Sequence, residues 1–191
     1  MSFMDQEFDR VCSAHREVLE SVSLIKGQTA QAADIIIDSL KVNAPVLLCG
    51  NGGSASDAQH FAGEIVGRFV TERRGLPAVA LGTDTATMTA IANDYGYATA
   101  FARQVQALGR PDACLVAIST SGNSESICKA AEEAKLLGMK VIGMTGQSGG
   151  KLKEIADVCL CVPTTTTARI QEMHIMLIHI ICGAIDHAFP S

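Results

Sequence analysis

Five short apolar runs recur along the chain, at residues 45–50, 77–82, 113–119, 140–146 and 157–163, each bounded by turn-forming residues. Their apolar positions are continuous rather than alternating, which is the pattern of strands covered on both faces. The runs predict a buried parallel sheet. Between them lie segments of helical spacing and helix-forming composition, over 56–69, 85–93, 98–108, 124–137 and a short 151–156. Strand and helix in alternation imply right-handed βαβ units. The fold class is therefore α/β, a three-layer α/β/α sandwich around a five-stranded parallel sheet.

Two helical stretches fall outside this alternation. Residues 5–40 place Phe8, Val11, Val18, Leu19, Val22, Leu24, Ile25, Ile35, Ile36 and Leu40 at helical spacing, with Gly27 as the expected break. The last helix, over 167–187, is apolar round most of its circumference. Such helices need a partner, and a homo-oligomer with helices packed between chains supplies one. The other possibility, that both merely cover the sheet, stays open. The chain reads as one domain, 1–191, with 1–42 as a helical oligomerisation segment and 43–191 as the α/β core.

Composition narrows the class. With 48% hydrophobic residues, 18% charged and 5 prolines in 191 positions, the chain is neither disordered nor of low complexity. Fifteen Lys and Arg against 20 Asp and Glu give a charge of −5 with no basic cluster, so nucleic acid has no electrostatic footprint to bind. The acidic start MSFMDQEFDR lacks the pattern of a secretory signal. The apolar stretch 170–189 is interrupted by Gln171, Glu172, His174, His179 and Asp186, so no membrane span is expected and a cytoplasmic protein is. Seven cysteines, an odd count without a CxxC pair, read as reduced core residues.

The first strand runs into a glycine-rich turn at 49–57, CGNGGSASD. Gly50, Gly52 and Ala55 fit the dinucleotide fingerprint, yet that site wants an acid about 20 residues on, at the end of the second strand. Here the second strand ends near Thr83 and Asp84, more than 30 residues on, and no Gly-Lys-Ser/Thr follows. Nucleotide binding is therefore disfavoured. What the turn offers is backbone that can approach a ligand closely at Gly52 and Gly53, and free helix-start amides that favour polar oxygens. Ser56 with Gln59 also reads as a capping box. After the third strand, STSGNSES at 119–126 sets five hydroxyls and a glycine before a helix. One hydroxyl would cap a helix, so the excess points to a phosphate monoester held without Lys or Arg.

His60 and Glu64 are spaced i, i+4, so both leave one face of a helix. Gln171 and His179 lie eight residues apart on the last helix, about 2.2 turns with an offset of roughly 80°. Two histidines, a glutamate and a glutamine are N and O donors suited to zinc, although a neutral Gln is a less usual ligand. On spacing alone, capping and surface roles are the commoner fate of such residues.

GNGGSASDAQH at 50–60, IANDYGY at 91–97, STSGNS at 119–124 and ARIQEMHIMLIH at 168–179 resemble the sugar isomerase (SIS) domain family, and within it the phosphoheptose isomerase branch. The resemblance spans nearly the whole chain from about residue 45. It implies a flavodoxin-like five-stranded sheet between helices and a homotetramer with active sites where subunits meet. It also implies one zinc per subunit on His60, Glu64, Gln171 and His179, with Glu64 and His179 in acid–base roles. Asn51, Gly52, Gly53, Asn93 and Asp94 match substrate-contacting positions, joined by Glu64 and Gln171, while Ser119, Thr120, Ser121 and Ser124 would take the phosphate. As a bare dipeptide, Asn93-Asp94 equally reads as a turn.

The implied activity is the conversion of sedoheptulose 7-phosphate to D-glycero-D-manno-heptose 7-phosphate for bacterial lipopolysaccharide. The alternative is a non-catalytic tetramer that binds a phosphosugar or associates with a replication initiator. That branch shares the loops and ARIQEMH but replaces the residues matching Glu64 and His179, and this chain keeps both. One departure from the pattern is Ala168, where some family members carry an acid. Asp57, one turn before His60, could orient its ring or compensate the helix N-terminus. His15, His174 and His187 read as structural. A lone pair committed to zinc cannot also take a proton, so ligand exchange or a division of roles between atoms of Glu64 is required.

Overall fold

All five apolar runs form strands, and the sheet they build sets the frame for everything else. The computed structural model describes residues 2–190. In chain order the elements are α1 (Phe3–Ser21), α2 (Lys26–Lys41), β1 (Val46–Gly50), α3 (Gly53–Val66), β2 (Ala78–Ala80), α4 (Thr85–Tyr95), α5 (Ala100–Leu108), β3 (Cys114–Ile118), α6 (Glu125–Leu136), β4 (Lys140–Thr145), α7 (Gly150–Ile155), β5 (Val158–Cys161) and α8 (Thr167–Ala188). The sheet is parallel throughout, in the order β2-β1-β3-β4-β5. In this doubly wound order the strand direction of progress reverses beside β1, and the crevice at the carboxyl ends of β1 and β3 is where ligands bind.

The continuous hydrophobicity of the strands has the expected cause. Val46 and Leu48 of β1 enter a core shared with α2, α3 and α8, while Leu47 and Cys49 face a second core shared with α5 and α6. β1, β3 and most of β4 are buried on both faces. Each such Leu or Val contributes about 1.5–3 kcal/mol by leaving water. Among the described residues all seven cysteines are free, as expected; Cys49, Cys114, Cys128 and Cys182 are core side chains, whereas Cys159 and Cys161 are half-buried and Cys12, on α1 away from the sheet, is exposed.

Two local expectations are corrected. The break in the N-terminal helical stretch is not Gly27 but a 3-10 turn, Val22–Ile25, with Gly27 second in α2. A glycine costs little there, because the first-turn amides of a helix have no intrahelical partner to lose. Likewise α3 starts at Gly53, so Ser56 lies inside the helix and caps nothing. Gly52 adopts φ 57° and ψ −124°, and a Cβ on Gly50 would collide with the Ser54 carbonyl. Residues without a Cβ let the chain turn from strand to helix at once, about a turn before Ser56.

The α8 helix has the length and apolar composition to cross a membrane, yet half of that window is buried inside this fold. It packs between α2 and α3 and carries buried Arg169, His174 and Asp186. Asp186 Oδ1 accepts from Arg73 Nε at 2.9 Å, and its Oδ2 accepts the N–H groups of Val70 and Thr71, both at 2.7 Å. Arg73 also donates to the carbonyls of Glu64 (2.8 Å) and Ile65 (2.9 Å). This buried pair therefore fixes the C-terminal end of α3 against α8.

Candidate active site

The loops after β1 and β3 meet at the carboxyl edge of the sheet, joined by side chains. Asn51 donates through Nδ2 to Ser126 Oγ at 3.1 Å, and its Oδ1 accepts from the Tyr97 hydroxyl at 2.6 Å. One residue of the glycine turn thus holds the hydroxyl-rich loop on one side and the segment after α4 on the other. In that loop Ser119 Oγ donates to Ser124 Oγ at 3.2 Å and lies 3.5 Å from Ser121 Oγ. Ser124 is the N-cap residue of α6, but its side chain turns to Ser119 and makes no capping bond. Three hydroxyls facing one another beside uncapped helix amides form a cradle for an anion. The Thr120 carbonyl accepts from Gly146 N–H at 2.9 Å, which anchors the loop to the segment after β4. Gly122, at φ 67°, packs so closely on Gly149 that any Cβ would strike the Gly149 carbonyl, which fixes the loop's shape.

Further along α3, where it packs on α8, three of the four expected donors converge. His60 Nε2 lies 3.0 Å from Glu64 Oε1 and 3.3 Å from His179 Nε2, and all three donor atoms fall within 4.8 Å of one another. Donors held about 2.0–2.1 Å from one tetrahedral ion stand about 3.3–3.4 Å apart, so this spacing fits a metal ion with little rearrangement. The N, N, O donor set suits a borderline ion of the zinc type. Phe69 stacks on the His179 ring with centroids 5.2 Å apart and limits its rotation. Gln171, the fourth expected donor, is placed at the glycine turn, where its amide packs on Gly53 so tightly that a Cβ there would collide. The cluster is open in the single chain, with His60 exposed.

The remaining expected residues divide. Asn93 and Asp94 sit exposed at the end of α4, where Asn93 Nδ2 donates to Asp94 Oδ1 at 2.8 Å. Asp57 makes no hydrogen bond to His60, so the orienting role is not seen: its Oδ2 is buried without a partner. Burial pushes the Asp57 carboxyl above its ordinary value, opposed by the nearby His60. His15 has a structural task, its Nδ1 lying 2.8 Å from Glu172 Oε2, while Arg169 pairs with Glu172 and donates to the Val11 carbonyl at 3.1 Å. These contacts tie α1 to the part of α8 that carries Gln171. His174 is fully buried, its Nε2 3.1 Å from the Thr145 carbonyl, and burial lowers its pKa to about 4. Tyr97, Arg73 and Asp186 were not singled out from sequence. Tyr97 lies within IANDYGY and could have been flagged, whereas Arg73 and Asp186 stand 113 residues apart and leave no local signal.

A flavodoxin-like sheet with a hydroxyl cradle at its carboxyl edge and a His–Glu–His cluster between α3 and α8 defines a sugar-phosphate-handling α/β domain. The family model described as SIS domain matches residues 12–146. "Phosphoheptose isomerase" of Helicobacter pylori (strain P12) is 52% identical over 177 residues, covering 92% of each chain. The solved phosphoheptose isomerase of Francisella tularensis superposes with a TM-score of 0.93 at 41% identity, covering 98% of this chain and 100% of that one. The solved phosphoheptose isomerase of Neisseria gonorrhoeae gives a TM-score of 0.91 at 43% identity, covering 96% of this chain and 99% of that one. The chain belongs to the phosphoheptose isomerase family of SIS-domain proteins.

Proposed function

We propose that the chain interconverts sedoheptulose 7-phosphate and D-glycero-D-manno-heptose 7-phosphate, supplying heptose for bacterial lipopolysaccharide. The observation that carries this reading is the meeting of His60, Glu64 and His179 where α3 packs on α8. A 1,2-isomerisation needs a base to remove a proton from C1 of the open-chain ketose and an acid to protonate the C2 oxygen. The resulting ene-diol then loses its O1 proton and gains one at C2. Glu64 and His179 form the acid–base pair, while His60 and Gln171 hold their positions. Glu64 Oε1 is engaged by His60, which leaves Oε2 to carry the proton. Division of labour between the two oxygens removes the conflict between ligation and basicity for Glu64, while His179, whose Nε2 is the donor atom in the cluster, requires ligand exchange when substrate binds.

The same donors, His60, Glu64, Gln171 and His179, would hold one zinc ion per subunit, which when bound supplies Lewis-acid polarisation of the sugar's adjacent oxygens. Ser119, Ser121 and Ser124 with the Thr120 backbone take the phosphate. Asn51, Gly52 and Gly53 line the sugar, and Asn93 and Asp94 meet its hydroxyls from the end of α4. The protein works as a cytoplasmic homotetramer with residues 1–42 as the oligomerisation segment of a single domain. An exposed His60 fits a site completed by a neighbouring subunit.

The test is turnover of sedoheptulose 7-phosphate by the purified protein, with metal analysis. Glu64→Gln and His179→Ala are each expected to lower turnover by about 10²–10⁴-fold with unchanged circular dichroism. Chelation is expected to abolish activity and zinc to restore it. Wild-type protein loaded with metal and inert on every ketose phosphate would overturn the reading.

A further inference from the structure

The edge strand β5 carries a feature that the isomerase site does not use. Cys159 and Cys161 are two apart on one face of the strand, both half-buried, with their Sγ atoms 3.6 Å apart. Thr145, the register partner of Cys161 on β4, places its Oγ1 3.5 Å from Cys159 Sγ and 3.4 Å from Cys161 Sγ. Room for the first sulfur comes from its own register partner, Gly143, where a Cβ would lie 2.9 Å from Cys159 Sγ. Leu152 and Ala156, in and after α7, close the pocket behind it. This is the face of the sheet opposite α3 and α8, which carry the histidine cluster.

The spacing selects among the chemistries open to two thiols. A disulfide requires the sulfurs at about 2.05 Å with Cα atoms no more than about 6.8 Å apart, the limit of what alternate residues of a strand, about 6.6–6.8 Å apart, can supply. A single ion or metalloid that bonds two sulfurs at about 2.3 Å holds them about 3.8 Å apart at a tetrahedral angle. The observed 3.6 Å meets the second requirement without moving the strand.

We propose that Cys159 and Cys161 form a vicinal dithiol that captures one thiophilic centre, a trivalent arsenical in the simplest case, as a two-sulfur chelate. Burial pushes the Cys159 thiol up to about 12, so at neutral pH it enters as S–H. With phenylarsine oxide the reaction balances as a condensation: two S–H bonds break, two S–As bonds form, the oxygen leaves as water and arsenic stays trivalent.

The probe is phenylarsine oxide itself, added to the reduced, folded, full-length protein and followed by intact mass. The expected result is one phenylarsenic adduct per chain that survives a glutathione wash and is removed by dithiothreitol. Cys159→Ser and Cys161→Ser should each abolish the glutathione-resistant adduct, while Cys12→Ser, at an exposed single cysteine, should not. Should either serine variant fail to fold, proteolysis of the wild-type adduct must locate the tag on the peptide containing both cysteines. A wild-type protein with no glutathione-resistant adduct, an adduct undiminished in either serine variant, or a tag on another peptide would overturn the proposal.

Discussion

Gly53 decides how Gln171 meets the glycine turn, because the amide of Gln171 occupies the space a side chain would need. Gly53→Ala is expected to displace Gln171 and to weaken metal affinity and activity by about 10–100-fold, as disturbance of ligand support commonly does. Metal titration alongside kinetics checks it, and unchanged affinity would remove Gln171 from the ligand set. His174 makes a different prediction. Its Nδ1 is buried with no partner, so protonation would create a charged N–H with nothing to receive it. Burial lowers its pKa from 6.5 to about 4 in the folded state. The unfolded chain therefore binds more protons between those values, and stability is full above about pH 6.5 and falls as pH drops toward 4. The loss amounts to roughly 3 kcal/mol at most. Denaturant melts of wild type and His174→Gln between pH 7 and 4.5 should show this slope in the former and a reduced one in the latter.

Where α3 meets α8, the Arg73–Asp186 pair holds the helix end that bears Glu64 against the helix that bears His179. Burial raises the Asp186 carboxyl, but the N–H groups of Thr71 and Val70 and the Arg73 guanidinium outweigh it and leave it below its ordinary value. Its stabilising share is thus present above the usual carboxylate range and lost as pH falls through the lowered value. Asp186→Asn strands a buried guanidinium and is expected to cost about 3–5 kcal/mol. Urea denaturation measures it, and a loss below about 1 kcal/mol would mean that water reaches Arg73. Strands and helices of this chain were legible because their hydrophobic periods are local. The start of α3 and the break before α2 were not, since steric freedom at Gly50 and Gly52, and the inward turn of Ile25, decided them.

Considered whole, the molecule leaves large apolar side chains of α1, α8 and the turn before α2 uncovered. Phe3, Met4, Phe8, Leu24 and Ile180 are exposed, and an apolar groove of about 450 Å³ runs between α2 and α8, lined by Val22, Ala30, Leu177 and Ile181 among others. Contiguous apolar surface of this kind marks an interface. Light scattering is expected to give the mass of four chains, and Ile180→Asp to shift it toward smaller species. A monodisperse wild-type monomer would contradict the assembly.

Read alone, the chain determined its α/β class, its five strands and both carboxyl-edge loops, and it singled out the His60, Glu64 and His179 that the structure brings together. Each of these follows from local periodicity, from glycine and hydroxyl chemistry, or from resemblance over contiguous residues. Only the tertiary structure decided that His179 comes within 3.3 Å of His60 across 119 positions, that Tyr97 reaches Asn51, and that Arg73 finds Asp186. Spacing along one helix fixes which face a side chain leaves. It carries no record of where two helices cross, because that angle is set by how their buried faces pack together.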